Sequence, residues 1–320
     1  MDIFLSMLDS TLRLTIPLLL ASLAGLLSER SGVVDIGLEG KMLCAAFAAA
    51  ATAFTLNSAW AGVGVALVVG LVLSLVHGLA SITFNGNQMV SGMAINILAS
   101  GATATLATAW FHEGGQTPHL EGTSRFQAIE LPYVQEAAQI PLLGTFYAEV
   151  VSGHTALLYL SLLSVPLVSW LLMGTRLGLR IRAVGENPHA ADTGGVSVAQ
   201  VRYLALALNG VLCGIAGAYL STAHGNLFLR DMTAGKGFLA LAALIFGRWK
   251  PWPTFYACVL FAFADAVQVR IQGVSLPVIG SLPAQFIQML PYALTVLVLA
   301  GLAGKTVAPK AIGLPYVKSR

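Results

Sequence analysis

The residues of this chain that could do chemistry are few, and most of them interrupt apolar runs. Asp35, Glu39 and Lys41 fall in Ser31-Gly32-Val33-Val34-Asp35-Ile36-Gly37-Leu38-Glu39-Gly40-Lys41, and the sequence is continuously apolar only from Met42 to Phe54. Lys236 stands between Gly235 and Gly237, just ahead of the short apolar run Phe238 to Phe246. Asp265, Gln268 and Gln272 recur at i, i+3 and i+7, a spacing that draws one polar stripe along a helix. A charge at the centre of an apolar helix costs about 2.5–3.5 kcal/mol on insertion scales, so each of these groups must be paired or must face water. For Asp35, Glu39 and Lys41 two readings stand side by side: the lining of a polar pathway, and an ion-paired hinge holding a broken helix. The Asp265 stripe is read as facing a water-filled path in preference to an interhelical lock. Gly92, Asn96, Ser100 and Thr103 make a stripe of small polar residues, and Gly210 and Gly214 a small-xxx-small pair beside Asn209; close helix packing accounts for both. His77 is read as a hydrogen-bonded structural residue in preference to a proton carrier. The candidate pathway set is therefore Asp35, Glu39, Asn96, Lys236, Asp265 and Gln268.

Other chemistries are excluded by what the sequence lacks. Ala234-Gly235-Lys236-Gly237 misses the glycine spacing and the hydroxyl of a phosphate-binding loop, and neither an H-E-x-x-H helix nor a G-x-S-x-G elbow occurs. No catalytic residue, metal site or cofactor is expected, so the chain is not expected to be an enzyme. His112, His119 and His154 lack ligand spacing. Cys44, Cys213 and Cys258 lie within apolar runs and are read as packing residues.

The elements that must position these residues follow from hydropathy. The 320 residues are 57% apolar and 10% charged, where a soluble domain carries about 25% charged residues. Apolar runs long enough to cross a bilayer core of about 30 Å recur throughout. They predict spans at 11–28, 33–54, 60–82, 88–110, 154–173, 200–222, 236–247, 251–272 and 282–303: about nine transmembrane helices in an all-α, polytopic membrane fold. The N-terminal Asp2 and Asp9 have the wrong charge for a cleaved signal peptide.

Basic residues gather at Arg176, Arg180, Arg182 and Arg202, at Arg248 and Lys250, and at Lys305, Lys310, Lys318 and Arg320. With nine passes these segments share one side, which the positive-inside rule makes cytoplasmic, leaving the N-terminus outside and the C-terminus inside. Four spans, a fifth odd one and four more give the arithmetic of two inverted four-helix repeats with a linking helix, an arrangement common in transporters. The irregular segments before 42 and 238 occupy matching places, as the second span of each half. On this reading 1–110 is the first repeat, 111–153 an external loop with a short surface helix, 154–199 the linking helix and a cytoplasmic segment, 200–303 the second repeat and 304–320 a cytoplasmic tail, all within one membrane domain.

The segment from Gly174 to Val201 is too organised for a linker. Asn187 can cap a short helix with Pro188 at its first position, and Gly194-Gly195 can stop it. Ala190 and Ala191 are small enough to seat in a groove of another protein, so a docking element is the preferred reading. Gly185, Glu186, Asn187, Pro188, Ala190, Ala191 and Gly195 are the residues assigned to it.

The stretch Arg182-Ala183-Val184-Gly185-Glu186-Asn187-Pro188, with Ala190, Ala191 and Gly195, resembles the cytoplasmic coupling helix of ATP-binding-cassette importer permeases of the ribose and branched-chain amino-acid superfamily. Glu29 to Gly40, Gly86 to Asn96, Met232 to Gly247 and Phe263 to Gln272 extend the likeness to both halves and to the nucleoside and simple-sugar branch, although Asp35 stands where that branch is expected to carry Asn. The resemblance implies one permease subunit of an importer in the bacterial inner membrane. Its partners would be a second permease subunit, usually a different one, two cytoplasmic ATP-binding subunits that hydrolyse ATP, and an external substrate-binding lipoprotein, with a nucleoside as cargo. A permease for another simple sugar and an ion-coupled secondary transporter are the alternatives.

Overall fold

The computed structural model describes residues 2–132, 143–271 and 307–318, together with 275–276, 280–281 and the single positions 289, 293 and 296. Helix α1 (Asp2–Arg30) starts well before the first predicted span and carries an Arg13–Asp9 ion pair at 3.0 Å. α2 (Leu38–Leu56) and α3 (Ala59–Gly78, extended by a π-helical turn over Leu79–Thr83) follow, then α4 (Gln88–Phe111). α5 (Ala156–Gly174) leads into two shorter helices, α6 (Arg176–Glu186) and α7 (Pro188–Thr193). α8 (Val198–Ala218, ending in a π-helical turn Tyr219–His224), α9 (Lys236–Phe246) and α10 (Pro251–Ile271) complete the described helices.

Eight of the predicted spans thus correspond to helices, and the ninth, 282–303, falls outside the described residues apart from isolated positions. Six described helices are long and apolar enough to cross a membrane. The other two helices that match predicted spans, α2 and α9, are the informative pair. α2 begins at Leu38, several residues later than the predicted span, because Ser31–Gly37 is not helical. α9 has 11 residues, about 16 Å of rise, which is half of a bilayer core.

Between α4 and α5 the loop forms a two-residue antiparallel ladder, β1 (Ala128–Ile129) with β2 (His154–Thr155), so that α5 starts at Ala156 and not at His154. A short helical turn stands at Leu143–Phe146 and continues as a π turn over Tyr147–Val151. The loop is fixed to one end of the bundle: Thr123 Oγ1 donates to the Asn57 carbonyl at 2.8 Å, and Phe126 N to the Thr222 carbonyl at 3.0 Å.

The core is a bundle of helices around the later half of α1, Ile16 to Leu27 being shielded on every side. α3 and α8 cross closely because glycines meet there: a Cβ on Gly210 would lie 2.5 Å from the Gly70 carbonyl oxygen, and one on Gly214 2.7 Å from that of Ala66. This is the small-residue contact expected of Gly210 and Gly214, and it brings Asn209 and Ser74 together in the interior.

Candidate functional site: two helix breaks and a capped surface segment

The break ahead of α2 is an ion pair wrapped in backbone. Lys41 Nζ donates to Asp35 Oδ2 at 2.6 Å, and both side chains are fully buried. Asp35 Oδ1 accepts from Gly37 N at 3.1 Å, and Lys41 Nζ also donates to Asn209 Oδ1 at 3.2 Å, an oxygen that accepts from Ser74 Oγ at 3.0 Å. Of the two readings left open by the sequence, the ion-paired hinge fits these two residues. Neither presents a charged atom to a pathway in this conformation. His77 joins the same support. One ring nitrogen, Nε2, lies 3.0 Å from the Val34 carbonyl and must donate to it; Nδ1 then accepts from Ser91 Oγ at 3.0 Å. A buried imidazole with both nitrogens engaged is a structural strut.

Asn96 on α4 holds the same break from the other side, Nδ2 donating to the Ile36 carbonyl at 3.0 Å and Oδ1 accepting from Gly40 N at 2.8 Å. The close approach requires Gly40, whose Cβ would stand 2.8 Å from the Asn96 Cα. The Gly92–Thr103 stripe therefore packs as expected at Gly92, Asn96 and Thr103, and departs from packing at Ser100, which reaches Asp231.

Glu39 joins the two breaks. Its carboxylate accepts from Gly235 N at 2.8 Å through Oε1 and from Gly237 N at 2.5 Å through Oε2. Those amides open α9, so a side chain from the first turn of α2 caps the first turn of α9, where free N–H groups and the helix dipole favour a carboxylate. Gly235 has φ +81, a left-handed conformation suited to glycine, and at Gly237 a Cβ would meet the Glu39 backbone at 2.6 Å. Lys236, between them, is half-buried at the start of α9, which packs against α10. Asp265 and Gln268 are half-buried on α10, and Gln272 lies outside the described residues. The structure thus brings Glu39 to the start of α9, on either side of Lys236, while sealing Asp35 beside Lys41.

The residues assigned to docking lie at one end of the bundle, divided between two sides of the segment. Asn187 Oδ1 accepts from Ala190 N at 3.0 Å and Pro188 occupies the first turn of α7, as the sequence predicts; Gly195 follows with φ +80. Glu186, Asn187, Ala190 and Gly195 are exposed. Gly185 and Ala191 are not. A Cβ on Gly185 would sit 2.1 Å from the Arg30 carbonyl oxygen, and Ala191 packs into the hydrophobic core. These two small residues let the segment lie flat on its own chain, and only the opposite side is free to meet a partner.

Three connections were invisible to the sequence reading. The tail folds back over this end: Ala311 N donates to the Gly185 carbonyl at 2.9 Å and Gly313 N to that of Gly32 at 3.0 Å, while the Tyr316 ring lies 5.1 Å from that of His189 on α7. Arg202, counted with the surface cations, is buried under Ser31, to whose carbonyl its Nε donates at 3.3 Å. Trp249 Nε1 donates to buried Glu29 at 2.6 Å, and Arg30 Nε to the Trp249 carbonyl at 2.8 Å, which clips the 247–250 turn to the end of α1. The bases of this face are thus drawn together, and the 111–132 loop, Asn57 and the 222–228 segment share the other end.

The profile of the family described as "Branched-chain amino acid transport system / permease component" matches residues 7–299. The chain belongs to this permease family. It is similar to the guanosine ABC transporter permease protein NupQ of Bacillus subtilis, with 37% identity over 97% of this chain and 96% of the relative. It is also similar to the nucleoside ABC transporter permease protein NupC of Lactococcus lactis, with 34% identity over 95% of this chain and 94% of the relative. A permease of such an importer is a multi-pass membrane subunit, and the hydrolysis of ATP resides in another subunit.

Proposed function

We propose that this chain is the membrane permease of an ATP-driven importer that carries nucleosides inward. The observation that carries the reading is α7: a short helix capped by Asn187, backed by Gly185 and Ala191 on its own chain, with Ala190 left exposed. A secondary transporter has no use for such an element, because no ATPase docks on it. Nucleoside cargo is supported by the two relatives, whose names and near full-length likeness point the same way.

In this scheme the α7 face is cytoplasmic and the N-terminus external, and nine spans in two inverted halves form one permease subunit. It pairs with a second, non-identical permease subunit, two ATP-binding subunits and an external substrate-binding lipoprotein, in a bacterial cell membrane. Closure of the ATPases pushes α7. Gly185, seated on Arg30, passes the displacement to the end of α1 and so to Ser31–Gly37, the hinge of α2. The Glu39 clasp then obliges α9 to move with α2. Access to the space around Glu39, Asn96, Lys236, Asp265 and Gln268 changes by rigid-body motion of short half-helices, a familiar kind of switch. Asp35 acts in it as half of a lock.

Two measurements test this. A cysteine at Ala190 is expected to resist a membrane-impermeant thiol reagent in intact cells and to react after permeabilisation. Ala190→Arg is expected to leave the chain in the membrane with its second permease, and to abolish both capture of the ATP-binding subunit and nucleoside uptake. Labelling in intact cells, or normal uptake in the arginine variant, overturns the reading.

A further inference from the structure

Asp231 is a charge in the wrong place for a lipid-facing surface. The segment after α8 runs back into the protein from the end that carries the long loop, held there by Thr117 N to the Phe228 carbonyl at 3.1 Å and Leu120 N to that of Asn226 at 2.6 Å. It reaches α4 at Ser100, half-way along that 24-residue helix, where Ser100 Oγ donates to Asp231 Oδ1 at 2.7 Å. The Asp231 side chain is nevertheless 53% exposed, and its other oxygen lies 3.5 Å from Arg230 Nε. Beside it on α4, Gly101 faces open space, with no atom within 4 Å of where its Cβ would be. A half-exposed carboxylate at mid-depth is compatible with a membrane if that face looks onto a water-filled path and not onto lipid.

We infer that Asp231 reads the cargo, accepting hydrogen bonds from the vicinal hydroxyls of a ribose as it passes the mid-point of α4. Oδ1 is oriented by Ser100 and each oxygen keeps a free lone pair, so the carboxylate can receive two adjacent O–H donors at once. Arg230 offsets its charge, which favours a neutral polyol over a cation. The backbone fixes the group further: Asp231 has φ +52 and its carbonyl accepts from Ala234 N at 3.0 Å, closing the turn that delivers Lys236 to the start of α9. The contact is therefore rigidly joined to the Glu39 clasp, and it moves when α9 moves.

This inference rests on the nucleoside importer reading, and the test separates the two. Asp231→Asn suits the experiment because asparagine tolerates the left-handed conformation as well as aspartate does and still offers Ser100 an acceptor. The complete transporter is assayed for uptake of radiolabelled guanosine, with unlabelled guanosine or 2′,3′-dideoxyguanosine as competitor. The parent is expected to prefer the ribonucleoside. Asp231→Asn is expected to assemble with all its partners and to keep ATP hydrolysis, while guanosine uptake falls about tenfold and the preference over the dideoxy competitor disappears. Retained preference overturns the inference, as does loss of the second permease from the complex, which would make Asp231 an interface residue. A parent that takes up no nucleoside overturns the underlying reading instead.

Discussion

Replacing Lys41 by methionine keeps most of the side-chain volume and removes one charge from the interior. Asp35 then retains Gly37 N on Oδ1 and has no donor on Oδ2, in a site that water does not reach. Breaking a buried pair by removing one partner costs about 3–5 kcal/mol, mostly the penalty of the charge left behind. Asn209 loses a donor too, but Ser74 still serves its oxygen. The second substitution makes the argument sharp: Asp35→Asn with Lys41→Met leaves a neutral amide that still accepts from Gly37 N, and replacing a buried pair by uncharged groups is often close to neutral. The double variant is therefore expected to be more stable than Lys41→Met alone by about 2 kcal/mol or more. Denaturant unfolding of the detergent-solubilised chain, followed by tryptophan fluorescence, measures all four corners of the cycle. Single-variant stability equal to the parent's, or a double variant worse than either single one, would refute the hinge-lock assignment.

The clasp between the two breaks gives a second expectation. Glu39→Gln keeps one carbonyl acceptor and loses the charge that two amides share, so α9 should loosen by about 1–3 kcal/mol and nucleoside uptake should fall while the protein remains in the membrane; unchanged uptake would make the contact ornamental. Gly185→Val separates fold from docking. Its Cβ would overlap the Arg30 carbonyl, so it should lower the yield of folded protein in detergent, whereas Ala190→Arg should not, and equal yields for the two would show that the segment does not lie flat on its own chain.

The sequence was most legible where local rules suffice. Hydropathy located eight helices, glycine clusters located both breaks, and the Asn187–Pro188 pair located the cap of α7, because each depends on neighbours within a turn or two. It was silent where contacts join distant positions. Nothing in the order of residues says that Lys41 turns toward Asn209, that Glu39 caps a helix starting at Lys236, or that Ser100 leaves its packing stripe for Asp231. The side taken by a small residue was also hidden. Gly185 and Ala191 look as fit for a partner's groove as Ala190 does, and only the position of Arg30 and the core decides that they turn inward. Arg202 shows the same limit for charge: the positive-inside rule counts a cation near a span end without distinguishing a solvated one from one donating to a buried carbonyl.

The tail has a consequence for how the protein matures. The Gly32 and Gly185 carbonyls accept from Gly313 and Ala311, positions synthesised far later. Until then these contacts are missing, so a nascent chain lacking this stretch has an unfinished surface beside α7. On the importer reading, the surface beside α7 is finished only once residues 311–313 have been made, so the docking face takes shape late in synthesis.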